Sequence, residues 1–262
     1  VCQKAIMKTL AFSSLSCKYL DDILSLAKEN YYKAIEWDLN FIPPTISKKR
    51  LDYITDYIHN ESIQISVHLP YSYIEIAHSD LEFQEYSVSV IKEYLKFASK
   101  LGSIHAIIHV GACENSNDTI ALESLEELSR MAFNCGIKLC LENSIYGLTE
   151  NGAFLREALR ISNLFLCLDT GHCNVVSQNN TSYLQMLQTL MNKCVHSHIY
   201  KTEDEKYNHI PFNSLDELID SKVMSILLKS NCNWFTMELD NYINQVSQKT
   251  IVEDFFIYNQ KL

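Results

Sequence analysis

Glycine and proline are scarce, at six and four of 262 residues, which excludes a collagenous or low-complexity chain. No G-x-G-x-x-G segment occurs, so the phosphate-cradling turn that an open doubly wound sheet typically carries after an early strand is missing. No apolar stretch approaches the roughly 20 residues that cross a bilayer. The amino terminus shows no basic segment followed by a long apolar run and a small-residue cleavage site. The expectation is a soluble, cytoplasmic protein with no membrane partner. Positive charge is also short: 22 Lys and Arg face 32 Asp and Glu, a net charge of −10. That is the wrong sign for gripping nucleic acid by overall charge. The nine cysteines include no C-x-x-C pair, their number is odd, and several fall in apolar strand-like runs. This pattern suits reduced, mostly buried thiols rather than a disulfide framework.

What is present is a large apolar fraction, 47%, against 21% charged residues, enough for a sizeable core. At about 150 residues per domain the chain exceeds one small domain, whereas one α/β barrel runs to about 250. Eight short apolar, β-branched runs recur at residues 8–13, 34–39, 65–70, 106–111, 138–143, 164–169, 194–200 and 234–240. Between them, segments such as 19–27, 81–101, 120–133 and 184–191 place apolar residues at i, i+3, i+4 and i+7, which is helical spacing. Eight strands alternating with eight helices at this period predict a closed (β/α)8 barrel, α/β in class. No linker rich in Pro, Gly or Ser divides the chain, so residues 1–262 read as a single domain. Residues 114–118 and 177–182 read as ordinary loops. The charged run 201–209 follows the seventh strand, on the face where barrels build their active sites.

The residues that finish the strands carry the functional signal. His68, His109, Glu142, Asp169, His196 with His198, and Glu238 fall near the carboxyl ends of six of the eight strands. In a barrel those ends converge on one axis. Burying bare carboxylates and imidazoles costs several kcal/mol, so groups placed there should pair with each other or with a metal. Glu142, Asp169, His198 and Glu238 offer mixed oxygen and nitrogen donors for one divalent ion. Three carboxylates and one imidazole favour Mn²⁺, Mg²⁺ or Co²⁺, and adding His68 and His109 favours Zn²⁺ or Fe. His196 and His198 are two residues apart and face the same way on a strand; His198, nearer the end, is the expected ligand, with His196 one layer deeper. His172 and His209, on the loops after strands six and seven, are placed to reach substrate or a further metal. Glu36, read as ending the second strand, is a candidate substrate contact. His59, His78 and His105, and the cysteines 140, 167 and 173, read as structural.

These residues carry a recognisable pattern. Val67-His68-Leu69-Pro70-Tyr71, Ile107-Ile108-His109-Val110-Gly111, Leu141-Glu142-Asn143, Leu168-Asp169-Thr170-Gly171-His172, His196-Ser197-His198 and Met237-Glu238-Leu239 resemble, in order and spacing, the xylose isomerase-like barrel superfamily. That superfamily includes sugar phosphate isomerases and epimerases, ketose 3-epimerases and the endonuclease IV group of abasic-site nucleases. The resemblance implies that Glu142, Asp169, His198 and Glu238 form the epimerases' four-ligand metal site. It also implies that Glu142 and Glu238 exchange a proton on either face of a metal-stabilised enediolate, and that His172 contacts substrate. The implied substrate is a sugar, sugar phosphate or similar polyhydroxy carbonyl compound, and pairing into a homo-oligomer is common in the group. The nuclease branch adds a site matching His68, His109 and Glu142, and a further one at His172 with an Asp-x-His pair. Here Tyr207 replaces that Asp, leaving Tyr207-Asn208-His209. From the epimerase side, Leu148 replaces a second Glu, and Lys201 is the nearby stand-in for an expected basic residue. The alternatives to an epimerase are therefore an abasic-site nuclease or phosphoesterase, disfavoured by the net charge, and a non-catalytic barrel that binds a partner.

Overall fold

The computed structural model describes residues 8–16, 20–40, 42–111, 114–180, 182–202, 208–240 and 242–259. Tyr207 and three of the cysteines, Cys2, Cys17 and Cys113, lie outside the described residues. Eight parallel strands form one closed barrel in sequence order. They are β1 (Thr9–Ser13), β2 (Ala34–Asp38), β3 (Gln64–His68), β4 (His105–Ile108), β5 (Lys138–Glu142), β6 (Leu164–Asp169), β7 (Cys194–Ile199) and β8 (Trp234–Met237). The ring closes where Thr9 to Phe12 of β1 pair with Trp234 to Met237 of β8.

Six of the strands stop short of the carboxyl end of their apolar run, while β1 and β6 end where their runs do. The runs continue past the last ladder bond because the chain still points inward as it leaves the barrel mouth. His109 and Glu238 are accordingly the first residues beyond β4 and β8, while His68, Glu142, Asp169 and His198 lie within their strands.

The connections hold α1 (Leu20–Glu29), α2 (Lys48–Asn60), α3 (Leu81–Lys100), α4 (Asp118–Asn134), α5 (Gly152–Ala158), α6 (Thr170–Asn179), α7 (Tyr183–Gln188), α8 (Leu215–Asp220), α9 (Lys222–Leu228) and α10 (Tyr242–Asn259). Ten helices among the described residues replace the expected eight, because the connections after β6 and β7 each carry two. The expected loop at 177–182 is corrected in part: Ser177 to Asn179 form the last turn of α6. In the other split, the Ser221 hydroxyl accepts from the Met224 amide and starts α9 immediately after α8. No helix among the described residues is long and apolar enough to cross a membrane.

The main core lies between the strands and the helical ring. Inside the barrel, alternate residues point to the axis. Small side chains there, such as Ala11, Ala34, Ser66, Cys140 and Cys167, leave room for Trp234, His105 and His196, all buried. Five of the six described thiols are buried and all six are free, as the composition suggested.

One close approach fixes the start of α6. A Cβ on Gly171 would fall inside the van der Waals envelope of the buried Tyr200 ring. Gly171→Ala is therefore expected to cost about 1–3 kcal/mol by overpacking. Urea unfolding measures this, and a midpoint equal to the parent's would count against the tight contact.

Candidate metal centre

The barrel mouth opens into a cavity of about 340 Å³ whose walls include His68, Tyr71, His109, Glu142, His172, His209, Glu238 and Asp240. At its base, one ligand atom from each of Glu142, Asp169, His198 and Glu238 can be chosen so that all lie within 4.8 Å of one another. His198 Nδ1 is 3.2 Å from Glu238 Oε2, 3.3 Å from Glu142 Oε1 and 3.7 Å from Asp169 Oδ2. His68, His109 and Glu142 form a second such group, with both imidazole Nε2 atoms 3.2 to 3.3 Å from Glu142 Oε2.

Asp169 shows why a short sequence motif can serve two purposes. As the N-cap of α6 it accepts the His172 amide on Oδ1 at 2.7 Å, which is ordinary helix chemistry. Its Oδ2, and both nitrogens of His198, are buried with no well-directed hydrogen-bond partner. Buried acceptors are rarely left so. Asp169 Oδ2 and His198 Nδ1 face the same point as two further carboxylates, and mixed oxygen and nitrogen donors of this kind suit a divalent ion.

The electrostatics agree with that reading. Burial works against ionising Glu142, yet His198 and His109 hold it well below the usual carboxylate range. Burial likewise opposes the charge on Glu238, and His198 and His209 outweigh it to leave the group at about 2. Among the imidazoles, burial works against protonation, but Glu142, Asp38 and Glu238 push His68 up to about 9. His198 is pushed well up against the same burial penalty by Cys167, Glu238, Glu142 and Glu36. Without a cation, imidazolium protons thus balance the carboxylates, and a bound divalent ion would take their place.

His172 and His209 line the cavity without entering either donor group. His172 Nδ1 is held by the Asn143 carbonyl at 2.9 Å. His209 Nδ1 contacts the Glu238 carbonyl at 3.0 Å, and its ring stacks on Tyr200 with centroids 4.0 Å apart.

Two expectations are corrected. Glu36 does not end its strand and does not line the cavity. It sits in mid-β2, 2% exposed, below the donors and between His196 and His198. Lys201 does not reach the cavity either. It pairs with Glu217 at 2.9 Å and borders a separate groove, because its backbone bridges to Ile210 and turns the side chain toward α8.

His196 lies deeper than His198, stacked on Trp234, and His105 meets it at 3.1 Å. His59 is exposed near the end of α2, and His78 accepts the Asp80 amide.

Sequence reasoning missed Asn143. Its amide donates to the Asp169 carbonyl at 3.1 Å and accepts the Asp169 amide at 2.8 Å, clamping β5 to β6 beside the donors. The available signal was its place directly after Glu142, where a polar residue at a strand end reads as a turn. Tyr71 and Asp240 also line the cavity and were not singled out.

A parallel eight-stranded barrel with carboxylates and imidazoles gathered at its carboxyl mouth presents them on the face where barrel enzymes build their active sites. The chain belongs to the xylose isomerase-like TIM barrel family, whose model matches residues 24–254. It resembles the crystal structure of a D-tagatose 3-epimerase-like protein, with a TM-score of 0.76 and 21% identity, covering 97% of this chain and 99% of that one. The zinc-bound IOLI protein matches with a TM-score of 0.77 and 20% identity over 96% of this chain and 99% of its own. An uncharacterized protein of Methanocaldococcus jannaschii is 22% identical over 242 residues, 91% of this chain and 97% of its own length.

Proposed function

We propose that this protein is a divalent-metal-dependent isomerase or epimerase of a sugar, sugar phosphate or similar polyhydroxy carbonyl compound. The observation that carries the proposal is the convergence of Glu142, Asp169, His198 and Glu238, with Asp169 Oδ2 and His198 Nδ1 buried and unpartnered at the shared point. Those four residues would hold the ion; Mn²⁺, Mg²⁺, Co²⁺ and Zn²⁺ all suit such donors. When bound, the ion supplies Lewis acidity that eases proton loss from the carbon next to a carbonyl by several kcal/mol.

The chain's own residues do the rest. Glu142 and Glu238 reach the cavity from β5 and from beyond β8, and each takes or returns the substrate proton. His68, His109, His172 and His209 surround the same space and offer imidazole groups to substrate hydroxyls. The D-tagatose 3-epimerase-like fold and the zinc found in the IOLI protein support this reading. The free thiols suit a reducing compartment.

Solvent-deuterium incorporation tests the proposal. With metal present, a panel of ketoses and their phosphates in D2O should include one compound that takes up deuterium at a carbon beside its carbonyl. No uptake by any member, with metal bound, would reject an isomerase.

The group formed by His68, His109 and Glu142 favours a second reading, a two-metal phosphoesterase. Elemental analysis separates the two, because one equivalent of metal fits the isomerase and two fit the esterase.

Asp169→Asn isolates the ligand role of that side chain. Asn is as good an N-cap as Asp, so α6 should survive. Loss of outer-sphere partners costs about 10–100-fold in metal affinity, so loss of a direct donor should cost at least about 100-fold. Metal content after dialysis is the measurement, and an unchanged content would remove Asp169 from the donor set.

A further inference from the structure

Beneath the four donors lies a second polar layer that this chemistry does not use. At its centre is Glu36, 2% exposed in the middle of β2. A carboxylate at that depth is costly unless donors surround it. Ser66 Oγ donates to Glu36 Oε2 at 3.0 Å, and Thr236 Oγ1 donates to the same oxygen at 3.3 Å. Trp234 Nε1 donates to the Thr236 hydroxyl at 3.1 Å, which leaves its own proton free to face Glu36. His196 Nε2 lies 2.7 Å from Oε2, and His196 Nδ1 meets His105 Nδ1 at 3.1 Å. These contacts fix one carboxylate oxygen and aim the other, Oε1, at His198 Nε2, 3.0 Å away.

We propose that Glu36 is a positioning residue: its Oε1 accepts from the Nε2–H of His198, which keeps that proton on the ring, so that the Nδ1 lone pair faces Glu142, Asp169 and Glu238. A neutral imidazole carries one proton, and only the bare nitrogen can ligate. With the proton on Nδ1, the Nε2 lone pair would point at the Glu36 carboxylate and repel it. With the proton on Nε2, both ends of the ring are matched. Nδ1 lies 3.2 Å from Glu238 and 3.3 Å from Glu142, the carboxylates that would share the ion with it, whereas the carboxylate that faces Nε2 is Glu36. Carboxylate-to-imidazole support of this kind orients metal ligands generally.

The inference rests on the metal reading of the site, and two measurements keep the two ideas apart. In 15N-labelled protein in water, with and without Zn²⁺, the His198 Nε2 proton should give a downfield, slowly exchanging NMR signal, assigned by its loss in His198→Gln and told from a proton on Nδ1 by its persistence when Zn²⁺ is added. In Glu36→Gln, which keeps the shape of the side chain, that signal should move upfield and exchange faster. A buried carboxylate serving only as packing would leave it in place.

The second measurement is Co²⁺ affinity by competition with a chromophoric chelator, expected to fall about 10–100-fold in Glu36→Gln. An unmoved proton signal, or Co²⁺ affinity equal to the parent's, would overturn the proposal. Parent protein that binds no Co²⁺ while its signal still responds to Glu36→Gln would remove the metal reading and leave the orienting role of Glu36 standing. Should Glu36→Gln not fold, Thr236→Val, which loosens Oε2, should move the same signal in the same direction by less; no movement there is equally decisive against the proposal.

Discussion

Glu142→Gln is expected to lower substrate proton exchange by about 10²–10⁴-fold, the usual contribution of a positioned acid or base. Glu142 closes β5, is 2% exposed and contacts His68 and His109 through one oxygen and His198 through the other. Gln keeps the length and planarity of the side chain, so it still fills the same space. It removes the basic oxygen that receives a proton and half of the pairing with the imidazoles. Those imidazoles can shed their protons once the charge is gone, so the barrel should remain folded. The experiment follows deuterium uptake from D2O at saturating metal, so that weakened metal binding is not mistaken for lost chemistry. Glu238→Gln should behave alike, because its carboxylate reaches the same cavity from the other side of His198. Full turnover in either variant at full metal occupancy would show that another group moves the proton.

The second large effect concerns metal removal. A ligand that binds only the folded chain at about 100 times its dissociation constant stabilises it by about 2.7 kcal/mol. For a chain of this size, each kcal/mol shifts the thermal midpoint by about 2–4 °C. Stripping the protein with a chelator should therefore lower its midpoint by about 5–10 °C, and adding back Mn²⁺ or Co²⁺ should restore it. Metal loading should also release about one proton or more per ion near neutral pH, since His68 and His198 are held protonated by the surrounding carboxylates in the bare site. Differential scanning calorimetry with parallel metal analysis checks the first effect. A midpoint indifferent to measured metal content would mean that the ion does not sit in the folded core of the site.

The sequence revealed the strands through their β-branched runs and the site through the polar residues that interrupt them. Periodicity found α7 within 184–191 but did not resolve the split into α8 and α9 after β7, because a helix of six residues such as α8 spans too few turns to display a face. Glu36 was misplaced for a geometric reason: β2 continues to Asp38, so Glu36 stands two residues below the mouth, level with the His196 layer. Lys201 was nominated by its nearness to His198 along the chain, but the strand ends at Ile199 and the backbone turns away. Asn143 escaped notice because its work is done through backbone atoms of Asp169, and no spacing rule announces such a clamp.

The pairing of β1 with β8 carries a consequence for assembly. Glu238 follows the last strand of the ring, about a hundred residues after Glu142, so a nascent chain or fragment stopping before it lacks one of the four candidate donors. Uptake of the ion would then report that the cylinder has shut, and partially built intermediates would compete poorly for it.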